Sequence, residues 1–296
     1  MHWQAAIDGF RSHIRLERSL SANTIEAYTR DIQSLCHFIG DSTPPQKVKA
    51  AQLRDYIRSL ADIGISPSSQ SRVVSSIRGF FKFLLLEDLI DTDPAELLET
   101  PKLRRKLPET LHIDEIEKMI DSIDLSKPNG ERNRAIIETL YGAGLRVSEL
   151  CNLKISCVHF NEGFVRVIGK GDKERLVPLG GMAAKRIKTY LTEIRNQQSV
   201  SRGSEDTLFL NSRGKGLSRV MIFKIIKQAA ANSGVKKNIS PHTLRHSFAT
   251  HLVHGGADLR AVQDMLGHES ITTTEIYTHL DQQYLRDAII QFHPRS

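Results

Sequence analysis

The 296-residue chain has little of several things that define common protein classes. Its three cysteines, Cys36, Cys151 and Cys157, are odd in number and form no Cys-x-x-Cys pair. That excludes a disulfide framework and a cysteine-rich zinc site, and leaves reduced thiols packed in a core as the expected use. No long apolar run is present. The most apolar stretch, Phe80–Leu86 with Lys82 inside it, is far shorter than the roughly 20 residues a membrane span requires. The first 18 residues interleave Asp8, Arg11, Arg15 and Glu17 with their apolar positions, so they lack a signal-peptide core, and the final residues show no lipid-anchor signal. A cytoplasmic location is expected. A Gly-x-x-x-x-Gly-Lys-Ser/Thr phosphate loop and a His-Glu-x-x-His metal helix are both missing, as is any repeat of 20–50 residues.

What is present is an ordinary globular composition, 40% hydrophobic and 25% charged, at a length that suits two domains. Lys and Arg number 41 against 34 Asp and Glu, a net charge of +7. An anionic partner is favoured, nucleic acid ahead of an acidic membrane surface, although a soluble enzyme with no such partner carries comparable charge. The excess is +2 over residues 1–106 and +5 over the remainder, so it is not confined to one tail.

Helical periodicity dominates the first part. The pattern predicts helices at Trp3–Glu17, Thr24–Ile39, Ala50–Ile63 and Pro67–Leu86, a four-helix bundle. Asn23 with Glu26 is the expected cap of the second, and Ser66 with Pro67 opens the fourth. Asp91–Pro94 then stops the pattern, and Pro101 and Pro108 bracket the basic run Lys102, Arg104, Arg105 and Lys106. This reads as an extended linker. Its charge suits either a solvated segment or a strap along a phosphate backbone.

The second part is mixed. Helices are expected at Asp114–Ile123, Glu131–Tyr141, Ser148–Leu153, Met182–Asn196, Val220–Asn232, Pro241–Val253, Leu259–Leu266, Thr272–His279 and Gln282–Ile290. Phe164–Ile168 and Glu174–Pro178 flank the turn Gly169-Lys-Gly-Asp-Lys173 as a β-hairpin, and Thr207–Leu210 reads as a short strand.

Histidine and arginine cluster late in the chain. In the helix opened by Ser240 and Pro241, Leu244, Phe248 and Leu252 form the buried stripe, with His242 and Arg245 side by side at its edge. An arginine so placed requires a partner, and a phosphate or an internal carboxylate serves equally. His242 and His246, one turn apart, have no third metal ligand at sensible spacing. Arg146 follows the helix break Gly142-Ala-Gly144, where its planar fork can be presented to an anion. Lys170 on the turn reads, by itself, as a solvated lysine.

Taken in order, Gly142-Ala-Gly-Leu-Arg-Val-Ser-Glu-Leu150, Gly169-Lys-Gly-Asp-Lys-Glu-Arg-Leu-Val-Pro-Leu179, His242-Thr-Leu-Arg-His-Ser-Phe-Ala-Thr-His251, Leu266-Gly-His268 and Ile276-Tyr-Thr-His279 resemble the catalytic boxes of tyrosine site-specific recombinases. Their spacing most resembles the Xer type of bacterial chromosomes. The likeness spans nearly the whole chain. Ala143 departs from it, standing where threonine is usual.

The resemblance implies a mainly α fold with a small β-hairpin or sheet (α+β). A four-helix, SAM-like core-binding domain would cover 1–90, a linker 91–108 and a catalytic domain 109–296, together a C-shaped clamp on DNA. It implies Tyr277 as nucleophile, forming a 3′-phosphotyrosyl link, and Arg146 and Arg245 as clamps on the scissile phosphate. His268 would donate to a phosphate oxygen. His242 would orient the phosphate and accept the tyrosine proton, and Lys170 would act as general acid. It implies no cofactor, no metal and no ATP. Lys102, Arg104, Arg105 and Lys106 would follow the DNA. The implied partners are double-stranded DNA with a short near-palindromic site, a sister Xer recombinase in a tetramer of two plus two, and a septal DNA translocase as activator. The last helix would dock on a neighbour, although Leu285, Ala288 and Ile289 are equally consistent with packing in their own domain. Tyr141, Tyr190 and Tyr284 are the competing tyrosines. A phage or integron-type integrase, a type IB topoisomerase and a DNA-binding protein without activity are the alternative readings.

Overall fold

In the computed structural model the described residues are 2–18, 20–101, 109–169, 174–267 and 279–296. The chain divides into two compact units, Met1–Lys106 and Leu107–Ser296. The linker residues Lys102, Arg104, Arg105 and Lys106 lie outside the described residues.

The first unit is a bundle of α1 (Trp3–Leu16), α2 (Ala22–Ile39), α3 (Ala50–Asp62) and α4 (Pro67–Leu86). Each helix turns an apolar stripe inward, and the stripes meet around Phe10, Ile32, Leu35, Leu53, Ile77 and Phe80. Trp3 stacks on Phe80 at 5.9 Å, and Phe10 meets the same ring edge-on at 5.5 Å. Ser66 caps α4, its hydroxyl accepting from the Ser69 N–H.

Two expectations are corrected here. α2 begins two residues earlier than expected and is capped by Ser21, not Asn23, because the Ser21 hydroxyl reaches both the N–H and the hydroxyl of Thr24. The extended segment also starts later than residue 91. Ala95 and Leu98 are buried in the bundle core, and Arg78 donates to the Leu98 carbonyl at 2.6 Å.

The second unit contains α5 (Ile113–Asp121), α6 (Gly130–Gly142), α7 (Val147–Cys151), α8 (Gly181–Glu193), α9 (Arg219–Ser233), α10 (Pro241–Gly255), α11 (Leu259–Leu266) and α12 (His279–Phe292). The hairpin strands β2 (Phe164–Ile168) and β3 (Glu174–Pro178) pair antiparallel, with Val165 opposite Val177 and Val167 opposite Arg175. A two-residue strand that periodicity does not reveal, β1 (Val158–His159), pairs with β2 and completes an antiparallel sheet ordered β1-β2-β3. Thr207–Leu210 is not a strand. Leu208, Phe209 and Leu210 are fully buried, and the segment makes only isolated bridges, Lys154 with Thr207 and Leu210 with Gly216. Its three apolar positions reflect burial in a loop.

The core forms where α6 packs on α8 and α10, and α5 on α9. α12 packs on α10 and β3 of its own domain, burying Leu285, Ala288 and Ile289. That apolar stripe is therefore used within the chain. Of the helix expected at Thr272–His279, all but its last residue lies outside the described residues.

Candidate functional site

The backbone between α6 and α7 builds the first side of the site. Gly144 has φ of +56°, and a Cβ there would lie 2.4 Å from the Phe248 ring of α10. Only glycine allows both the left-handed turn and this close approach. The turn aims the Gly144 carbonyl at Arg245, whose Nη1 donates to it at 2.6 Å. It also places Arg146 at the cap of α7, where Glu149 returns to accept from the Arg146 N–H at 2.7 Å and from its Nη1 at 2.9 Å.

The second side is the C-terminal end of α11. Its last carbonyls lack helical partners, and three consecutive ones each accept from a different arginine. Met265 accepts from Arg175 Nε at 3.0 Å, Leu266 from Arg245 Nη2, and Gly267 from Arg146 Nη2 at 2.9 Å. Gly267 ends the helix in the left-handed conformation, with φ of +62°. A Cβ at Gly267 would stand 3.1 Å from the Arg175 side chain. The negative end of the helix dipole thus faces three guanidinium groups.

The third element is Glu149, 5% exposed. Arg175 grips it with a two-pronged fork, Nη1 to Oε1 at 2.7 Å and Nη2 to Oε2 at 2.9 Å. Burial alone would raise its pKa. The hydrogen bonds and charge of Arg175, joined by those of Arg146, outweigh burial and hold the carboxyl below its ordinary value.

The charge balance is uneven. Among the described residues three arginines gather around one buried carboxylate, which accepts from Arg146 and Arg175. Arg245, 8% exposed, is held by two carbonyls, and among the described residues no carboxylate is hydrogen-bonded to it. Burial first, and then the charges of Arg146 and Arg175 against that of Glu149, push its pKa down to about 10. An anion would relieve this cluster. Of the two partners that sequence leaves open for Arg245, an internal carboxylate is not hydrogen-bonded to it among the described residues. Arg146 keeps its side chain 37% exposed, so a ligand can reach it.

His242 is exposed one turn before Arg245. The two line a groove of about 480 Å³ between α10 and α11, together with His246, Thr250, Gln263 and Leu266. The structure therefore brings Arg146, Arg245 and His242 to the same region. Lys170, His268 and Tyr277 lie outside the described residues, as do the four basic linker positions. Of the competing tyrosines, Tyr141 and Tyr190 are fully buried, and burial raises the pKa of each phenol. Tyr284 is 53% exposed. His251, further along α10, shares a 2.7 Å hydrogen bond with the Tyr141 hydroxyl.

Sequence reasoning missed Arg175 and the second role of Glu149. A signal for Arg175 existed: alternation along β3 places it on the face of the buried Val177. Glu149 reads only as the start of a helix.

The sequence matches the phage integrase family over residues 109–284 and the phage integrase N-terminal SAM-like domain over residues 7–88. It is 44% identical to the tyrosine recombinase XerD of Listeria innocua over 293 residues, covering 98% of this chain and 99% of that one. It is also 44% identical to the XerD of Chlorobaculum tepidum over 298 residues, covering 99% and 98%. Both of these relatives belong to the XerD branch of the Xer type. Among solved structures, the XerH site-specific recombinase bound to palindromic difH substrate matches with a TM-score of 0.71 at 27% identity, over 92% of this chain and 80% of that one. A lambda integrase dimer bound to a COC′ core site matches in fold, with a TM-score of 0.72 at 20% identity, over 93% and 100%.

Proposed function

Since this chain belongs to the phage integrase family of tyrosine recombinases, enzymes of DNA strand transfer, we propose that its arginine cluster holds the scissile phosphate of a chromosomal recombination site. The observation that carries this reading is the buried charge of Arg245 beside Arg146, held among the described residues by two carbonyls and no hydrogen-bonded carboxylate.

In this reading Tyr277 Oη attacks phosphorus and the bond from phosphorus to the 5′-oxygen breaks. The phenolic proton passes to His242, and Lys170 supplies a proton to the departing oxygen. The products are a 3′-phosphotyrosyl link and a free 5′-hydroxyl. The ester keeps the bond energy, so a partner strand's hydroxyl reverses the step without ATP. In the transition state negative charge grows on the non-bridging oxygens. Arg146 and Arg245, already fixed by their partners, meet it with donors in place, which favours the transition state over the ground state, and His268 would add a donor to one of those oxygens. Arginine suits this task better than lysine because its fork engages two oxygens at once.

The XerD relatives support a role in resolving chromosome dimers at a dif-like site during segregation and division, in the cytoplasm. The enzyme would act with a sister Xer recombinase, two of each, under a septal DNA translocase. The basic run at 102–106 would follow the DNA backbone.

The test is a nicked duplex carrying the recombination site, scored for an SDS-resistant adduct. Tyr277→Phe is expected to abolish the adduct with binding intact, whereas Tyr284→Phe retains it. Arg245→Gln is expected to slow adduct formation by about 10²–10³-fold. An adduct surviving in Tyr277→Phe would overturn the assignment and point to Tyr284. The adduct should form undiminished in EDTA.

A further inference from the structure

Arg175 is the arginine of the cluster whose three side-chain nitrogens are all engaged within the protein. It is 8% exposed, with one nitrogen held by the Met265 carbonyl and two by the oxygens of Glu149. Its position in the chain gives it a different use. The Ile168–Glu174 pair closes the hairpin ladder, and Val167–Arg175 is the next rung. Arg175 therefore stands at the base of the turn, five residues after Lys170. Its side chain also packs on Gly267, the residue before His268.

One fork thus ties three elements together: the hairpin by its backbone, α7 through Glu149, and the end of α11 through Met265. A bidentate Arg–carboxylate pair fixes direction as well as distance, which a lysine cannot do. Glu149 in turn holds Arg146.

We propose that Arg175 is a positioning residue that locks the base of the Lys170 turn to Glu149 and to the end of α11. The general acid is thereby kept in register with the arginine pair. This rests on the reading of Lys170 as general acid. The alternative is a buried ion pair that serves the fold alone.

A substrate with sulfur in place of the bridging 5′-oxygen separates the two. A thiol is a much stronger acid than an alcohol, so a thiolate leaves without a proton from the enzyme. Cleavage of oxygen and sulfur duplexes is compared in Lys170→Ala, Arg175→Lys and Arg175→Gln, with site binding and the melting midpoint measured for each. Arg175→Lys keeps the charge and loses the fork, and carries the comparison if Arg175→Gln does not fold. On oxygen, Lys170→Ala is expected to lose about 10²–10⁴-fold, and Arg175→Lys about 10²-fold, with binding unchanged. On sulfur, both should return to the wild-type rate. If Lys170→Ala is rescued and Arg175→Lys keeps its full defect, the proposal is overturned and the general-acid reading stands. If Lys170→Ala is not rescued, that reading fails and the proposal falls with it.

Discussion

Asp31 in the N-terminal bundle and Glu149 in the C-terminal unit are buried to the same degree, 6% and 5% exposed. Their surroundings differ. Asp31 accepts from the Ser76 hydroxyl at 2.7 Å and from Arg72, whose side chain is 44% exposed. One cation meets one anion, and that cation reaches water. Glu149 is shared by Arg146 and Arg175, beside a third arginine, Arg245, that depends on backbone carbonyls. Burying unpaired charge is costly, so a fold selected for stability alone would not keep the second arrangement. The first pair serves the bundle. The second holds positive charge ready where an anion is to be bound, and Glu149 makes that concentration tolerable.

If so, removing Glu149 should have the largest effect on the fold. Glu149→Ala leaves Arg175 buried with one carbonyl and strips Arg146 of its carboxylate. Loss of one partner of a buried ion pair costs about 3–5 kcal/mol. Urea unfolding should show that loss, together with faster proteolysis of residues 109–296. A loss below about 1 kcal/mol would erase the distinction between the two carboxylates, since that is the scale of an exposed pair.

Why the sequence discloses one of these sites more readily than the other follows from range. The bundle is written in local periodicity: Trp3, Ile7, Phe10 and Ile14 announce their shared face within a single helix, and all four are buried. The order of the boxes likewise brings Arg146, His242 and Arg245 to notice. What holds them does not show. The Arg175–Glu149 pair spans 26 positions and Arg245–Gly144 spans 101. Whether Arg245 meets a carboxylate or a carbonyl depends on where α11 ends in space. β1 is too short to have a period, and Thr207–Leu210 shows that an apolar run records burial without recording conformation.

Acid offers a second way to separate the regions. His293, 4% exposed, lies against Tyr141 and Phe248 and has its pKa pushed down to about 4, by burial first and then by the charges of His251 and Arg295. An unfolded histidine titrates near 6.5. With the folded value lower, the unfolded state binds the proton more readily. This stability is complete above about pH 6.5 and is lost as pH falls toward 4, at about 1.4 kcal/mol per unit. The full loss is roughly 3 kcal/mol. No described histidine of the bundle is buried in this way. Hydrogen exchange at pH 5 against pH 7 should therefore loosen residues 109–296 and spare 2–101. His293→Asn keeps an acceptor for the Arg295 N–H and should flatten the response. An unchanged pH dependence in that variant would remove His293 as the cause.

The smallest effect is expected at Asp31, and it tests the other half of the comparison. Asparagine keeps the shape of the carboxylate and an oxygen to accept from Ser76. Arg72 loses its anion but is already close to half exposed, so its charge turns to water instead of being stranded. The net cost is one hydrogen bond to a charged group less what solvent returns, about 1 kcal/mol. Asp31→Asn should therefore lower the unfolding free energy by about that amount and leave adduct formation at the wild-type rate. A loss of 3 kcal/mol or more, on the scale of a broken buried pair, would mean that burial alone decides the cost. The cation count around Glu149 would then no longer distinguish a site from a scaffold.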